Sequence, residues 1–219
     1  MPTVRTGLGR PRGADVPERS ARAGLLREAA ELFSRKGYGA TSVGEIVAAA
    51  GVTKPVLYYH FASKENLYLT LMKESLDHFR AAVEAAHRDE TGTVADRIQR
   101  LCEVLIGQAL ENLSIVRLTR GMHYAPPQGA PAFDGCEFPR TIQALLHQLV
   151  EAGVHSGEFG PVEPAALVWA IMGLLSVCID SNLVDPALAL KPAGFRSALN
   201  LVFAGVTPAD RRPQGDRQS

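Results

Sequence analysis

Apolar residues recur along this chain at intervals of three and four, the spacing of one face of an α-helix. Leu25, Ala29, Leu32 and Phe33 define a first helix over 19–36, closed by Lys36 in its last turn and by Gly37. Ser42 with Glu45 three residues on is a capping box, and Val43, Ile46, Val47 and Ala50 make a short apolar face behind it. Gly51 predicts a sharp turn. Thr53 is then placed to cap a third helix that tolerates Pro55 in its first turn and turns Leu57 and Phe61 to the core. Ser63 caps a fourth. Met72, Leu76, Phe79, Val83 and Ala86 carry that helix to about His87, a rod of ~35 Å at ~1.5 Å per residue. Further helices are predicted after Gly92 (Val94, Ile98, Leu101, Leu105, Ala109, Leu113), over 115–124, over a segment with Ile142, Leu145, Leu146, Leu149 and Val150 that ends near Gly153, from Pro164 to Leu183, and from Pro192 to Val206. Pro126, Pro127, Gly129 and Pro131 impose a loop, and Gly157-Glu158-Phe159-Gly160-Pro161 reads as a turn. No stretch alternates as a strand does. The expectation is an all-α protein of about nine helices.

The longest apolar run, Ala165 to Ile179, stops at Asp180. That is short of the roughly 18 residues a membrane span needs, so it predicts a buried or interface helix and no membrane partner. Residues 1–19 and 208–219 have little to bury and read as a disordered basic arm and a disordered tail. Between them, 20–66 and 67–207 are the expected domains.

Charge changes the picture more than composition does. The 219 residues carry 23 basic and 23 acidic side chains, but the zero balance is uneven. Residues 1–66 are +4 and the remainder −4, so a polyanion is drawn to the head and repelled by the body. Cys102, Cys136 and Cys178 have neither disulfide nor metal-ligand spacing, which points to a reducing cytoplasm without metal or cofactor. The arginine-containing N-terminus lacks the apolar segment of a secretory signal.

Two short helices joined by Ala50-Gly51-Val52-Thr53, with a third behind, describe a helix-turn-helix. With Leu57 and Phe61 anchored inward, Lys54, Pro55, Val56, Tyr58, Tyr59 and His60 form the outer face of the second helix. The Tyr58 and Tyr59 hydroxyls and the His60 imidazole can donate to phosphate oxygens, Lys54 can reach base edges, and Lys64 can clamp the backbone. Helix termini near Ser42 and Thr53 add N–H donors. Adjacent tyrosines also suit packing.

These segments (Thr41 to Ile46, Ala50 to Lys54, Leu57 to Phe61 and Ser63-Lys64-Glu65) closely resemble the DNA-binding head of the tetracycline-repressor (TetR/AcrR) family over about residues 20–70. The resemblance implies that Thr53, Lys54, Pro55 and Val56 approach the major groove. It implies that Tyr58, Tyr59, His60, Lys64 and Thr41 or Ser42 touch phosphates. Gly44 departs from members with a base-reading side chain at that position. Arg5, Arg10 and Arg12 are candidates for a minor groove.

The same resemblance implies a helical ligand-binding and dimerisation body, hence a homodimeric repressor released from operator DNA by a small effector. A regulator without a small-molecule effector is the alternative. Bulky Met122, Tyr124, Phe133, Phe138, Trp169 and Met172 are candidate pocket residues, with His123 and Asp180 as polar anchors for an apolar or weakly polar ligand. Each also suits plain core, the more common place for such a residue. Ala166, Ala170 and Gly173, with Leu174, Val177, Phe195, Leu199, Val202 and Phe203, form a candidate dimer interface that could instead be monomer core. The six histidines show no HExxH spacing, and no nucleophile elbow, Walker loop or GxGxxG is present, so an enzyme is not expected.

Overall fold

A computed structural model describes residues 18–124, 129–134, 137–187 and 189–208, without the side chains of 18, 19 and 122–124. The described residues hold nine α-helices and no strand. They divide into two compact units. The first runs to Leu71 and also takes in residues 129–131. The second holds the other described residues from Met72. The expected arm as far as residue 17, the C-terminal tail from residue 209, Cys136 and residues 125–128 of the Pro-rich loop lie outside the described residues; Glu18 and Arg19, expected in the arm, belong to α1.

The first unit consists of α1 (Glu18–Lys36), α2 (Val43–Ala49), α3 (Lys54–Phe61) and the opening turns of α4 (Lys64–Arg88). Leu25, Ala29 and Phe33 from α1 meet Ile46, Leu57, Phe61 and Leu67, all of them fully or almost fully buried. Phe33, Tyr38 and Tyr68 close an aromatic triangle with ring centroids 5.1 to 5.5 Å apart. Gly37 and Gly51 take φ of +83° and +66°, the left-handed region that an L side chain avoids. The Ser42–Glu45 capping box forms at α2, and Ser63 Oγ accepts from Asn66 N–H at 3.0 Å. Thr53 is the N-cap of α3 but makes no capping bond through its side chain, contrary to expectation; Pro55 at the second helical position has no N–H to offer it.

The second unit contains the rest of α4, α5 (Val94–Glu111), α6 (Leu113–Tyr124), α7 (Glu137–His155), α8 (Pro164–Val184) and α9 (Pro192–Val206). α5 packs on α7, α8 and α9, and α8 lies between α7 and α9. The core runs through Val83, Leu101, Leu105, Leu146, Val150, Ile171 and Leu175. The 157–161 turn works as a staple. Glu158 accepts from the N–H groups of Val94 and Ala95 at 2.8 and 2.7 Å, satisfying donors at the start of α5 that have no partner within the helix. Phe159 is buried against Gly153 and stacks on Phe203. Gly160 N–H donates to Val206 O at 2.7 Å.

Two expectations for the last helices are corrected. Phe195, Leu199 and Phe203 are 0, 0 and 6% exposed within the single chain, so they are core and offer no surface to a partner. The apolar run stops at Asp180, but α8 continues to Val184; its 21 residues make it long and apolar enough to cross a membrane, by length and composition, where the run alone was expected to fall short.

Candidate nucleic-acid interface and cavity

α3 is anchored from below and open above. Leu57 and Phe61 are one turn apart and fully buried, which fixes the rotation of the helix. Thr53, Lys54 and Pro55 are consequently exposed at its start and Val56 half-exposed. Tyr58 and Tyr59 are 49 and 75% exposed, a large aromatic area for a solvated face. His60 is half-buried, its ring 5.1 Å from that of Tyr59. At the start of α3 Pro55 has no N–H, and the N–H groups of Val56 and Leu57 donate to Thr53 O, so the charge that this helix end offers an anion is that of the exposed Lys54.

Three of the predicted phosphate contacts are committed elsewhere. Thr41 is 1% exposed, and its hydroxyl donates to Gly37 O at 2.8 Å. The Ser42 hydroxyl donates to Glu45 Oε2 at 3.0 Å and accepts from the Glu45 N–H at 3.2 Å. Lys64 Nζ donates to the carbonyls of Tyr38 and Thr41, each at 3.0 Å, and lies 4.1 Å from the centre of the Tyr38 ring. These side chains build the loop between α1 and α2. The physical reason is common to all three: a loop that leaves a helix strands carbonyls and N–H groups, and the nearest polar side chains take them. Glu45 also pairs with Lys36. That pair, with the Ser42 N–H and hydroxyl, holds the Glu45 carboxyl down at about 2, against an ordinary 4.5.

The second unit holds a partly open cavity of about 220 Å³. Leu76, Phe79, Leu105, Phe138, Ile142, Met172, Leu175 and Ile179 supply most of its wall, and Thr119, Arg120 and Ser176 its polar part. Of the predicted pocket residues, Phe138 and Met172 are in the wall. Phe133 is not, Trp169 is 64% exposed, and the side chains of Met122, His123 and Tyr124 lie outside the described residues. Asp180 is not in the lining but pairs with Arg120, Nε to Oδ1 at 2.9 Å. Sequence reasoning missed Arg120 and Ser176. A signal was available: Ser176 and Asp180 are polar positions one turn apart on an otherwise apolar helix.

The opposite face of α8 carries Ala166, Trp169, Ala170, Gly173 and Val177, all exposed. Leu174 and Val202 are half-buried, and Leu201 of α9 is 75% exposed. Among the described residues no group of His, Cys, Asp and Glu has the arrangement of a metal site. Cys102 and Cys178 are free and buried, and burial pushes both thiols up.

Residues 25–71 match the family described as bacterial regulatory proteins, tetR family. The HTH-type transcriptional activator FasR of Mycolicibacterium smegmatis is 42% identical over 93 residues, which are 42% of this chain and 41% of that one; the chain thus matches about two-fifths of that relative's length. The HTH-type transcriptional regulator RutR of Escherichia coli K12 is 28% identical over 152 residues, 67% of this chain and 68% of that one. Among solved structures, the TetR family transcriptional regulator PfmR from Thermus thermophilus aligns with a TM-score of 0.65 at 27% identity, covering 82% of this chain and 97% of that one.

Proposed function

We propose, from the match of residues 25–71 to the tetR family of bacterial regulatory proteins, that the chain is a member of that family and a homodimeric transcription regulator that represses by occupying operator DNA and leaves it when a small, mostly apolar effector fills the second unit. It acts in the cytoplasm. The observation that carries this reading is the outer face of α3. Thr53, Lys54, Pro55, Tyr58 and Tyr59 are exposed together on a helix whose other side is fully buried. Lys54 and Val56 meet base edges, the lysine through hydrogen bonds and the valine through a thymine methyl. Tyr58, Tyr59 and His60 meet phosphates.

A pair of heads suits half-sites one or more turns apart. The exposed face of α8, with Leu201, is the surface we assign to the second copy: Ala166, Ala170 and Gly173 permit close approach, and Trp169 and Val177 supply apolar area. α4 contributes turns to both units, so an effector that shifts it would change the separation of the two α3 helices.

The test is selection of duplexes from a random pool at low salt, followed by anisotropy titrations on the selected site. Lys54→Ala should cost about 1–3 kcal/mol on that site and alter base preference at one position. Equal loss on every sequence would remove Lys54 from readout. Absence of any selected duplex would refute the proposal.

A further inference from the structure

The polar end of the cavity is shared between α6 and α8. Arg120 Nη2 donates to Ser176 Oγ at 3.2 Å, while its Nε faces Asp180 Oδ1 at 2.9 Å. That carboxylate oxygen is shielded from solvent and has the guanidinium as an ion-pair partner without a hydrogen bond. Thr119, the other polar wall residue, directs its hydroxyl to Val116 O at 2.9 Å, so its proton is spent within α6.

Two things follow for an occupant. The groups that face it are donors. A guanidinium has N–H groups only, and the Ser176 oxygen, having accepted from Arg120, retains its hydroxyl hydrogen. The occupant's polar atom is therefore an acceptor. The charge of Arg120 is also already balanced. A carboxylate ligand would compete with Asp180 for the guanidinium and set a second negative charge beside that carboxylate, a repulsion that the 35 and 42% exposure of the Arg120 and Asp180 side chains reduces but does not remove. A carbonyl oxygen requires only a hydrogen bond and leaves the Arg120–Asp180 pair intact. At roughly 30 Å³ for a water-sized group, the volume suits about seven or eight such groups.

Resting on the effector reading above, we infer that the ligand is an uncharged, largely apolar molecule carrying one carbonyl acceptor, a ketone or ester, held by Arg120 and Ser176, and that Asp180 sets specificity by excluding carboxylates. Asp180 is a positioning residue; the contacts belong to Arg120 and Ser176.

The test uses the full chain and three eight-carbon probes, 2-octanone, octanoate and n-octane, titrated by calorimetry at neutral pH. 2-Octanone should bind about tenfold or more tighter than either of the others, the difference a single charge-assisted hydrogen bond makes. Arg120→Met should weaken 2-octanone by about tenfold, and Ser176→Ala, which leaves the ion pair in place, by a smaller factor. Asp180→Asn frees the guanidinium charge and should shrink or erase the preference, with octanoate gaining about tenfold and 2-octanone changing little. Octanoate or octane matching 2-octanone on the unaltered chain, or an unchanged preference in Asp180→Asn, would overturn the inference. Met172→Trp, which fills the apolar part, separates the two levels of reading. If it abolishes 2-octanone binding while Arg120→Met and Ser176→Ala do not weaken it, the cavity remains an effector site and the inference falls. If no probe binds, or none of these variants alters binding, both fall.

Discussion

Lys64→Met keeps the aliphatic stem of the side chain and removes its ammonium. In the structure that ammonium donates to two loop carbonyls at 3.0 Å and sits over the Tyr38 ring at 4.1 Å. A hydrogen bond to a charged group is worth about 1.5–3 kcal/mol, and an exposed cation–π contact about 0.5–1 kcal/mol. At the low ends the two hydrogen bonds and the ring contact come to about 3.5 kcal/mol; Lys64 is only half-buried, so water replaces part of what is lost, leaving about 2 kcal/mol. With a urea slope of about 1–3 kcal/mol per molar, the midpoint of the first unit's transition should fall by about 1 M. Circular dichroism follows the helices, and tyrosine fluorescence follows the Phe33–Tyr38–Tyr68 cluster. DNA affinity, measured where the variant is fully folded, should keep its salt dependence. The opposite pattern would refute the reasoning. Were Lys64 a phosphate contact, stability would hold and the log–log salt slope would shrink by about 0.9.

Further outcomes are expected elsewhere. Gly153→Ala would drive a methyl into the Phe159 ring edge; the overpacking cost of about 1–3 kcal/mol should exceed the ~1 kcal/mol helix-propensity gain, so thermal melts should show a net loss. Glu45 titrates lower in the folded chain than its ordinary 4.5, so its contribution is complete above that value and lost as pH falls from about 4.5 to about 2; Asp89 and Asp96, both lowered mainly by their threonine partners, add to the same acid limb. Glu45→Gln should therefore flatten the fall in urea midpoint across that window, and an unchanged acid limb would count against the assignment. Val177→Lys places a charge on the exposed face of α8 and should shift the chain toward monomer in analytical ultracentrifugation, with no loss of melting temperature relative to the unaltered chain when both are diluted to monomer, since Val177 is 61% exposed. A large loss of melting temperature would instead place Val177 in the monomer core.

Sequence reached the elements with fewer errors than the contacts. Periodicity, the Ser42–Glu45 box and the glycines at 37 and 51 locate the helices and turns, because those signals act within a few residues of themselves. Side-chain destinations depend on partners distant in the chain. Lys64 finds carbonyls 23 and 26 positions back, and nothing local distinguishes that use from a phosphate clamp. Thr41 is the same case: a hydroxyl near a helix start suits a groove or a buried carbonyl equally well. Phe195, Leu199 and Phe203 lie on one face of α9, and an apolar face reads alike whether it meets its own core or a second copy. α8 carries apolar residues all round, so its rotation is not written in its hydrophobicity. Its small residues marked the exposed side correctly, but Trp169 belongs to that side and not to the pocket, because size alone does not tell a wall from a surface.

α8 has Met172, Ser176 and Ile179 on the cavity and Ala166, Gly173 and Val177 on the opposite flank. One rod thus carries two inscriptions, locked in phase by the helical pitch. Inserting a single residue after Pro164 would rotate everything beyond it by about 100°, swinging the Ser176 hydroxyl out of the chamber and Asp180 away from Arg120 in the same stroke that buries the small residues. Insertions and deletions in this segment are therefore barred far more strictly than substitutions, and any drift in what the chamber accepts must proceed by exchange of side chains at constant length.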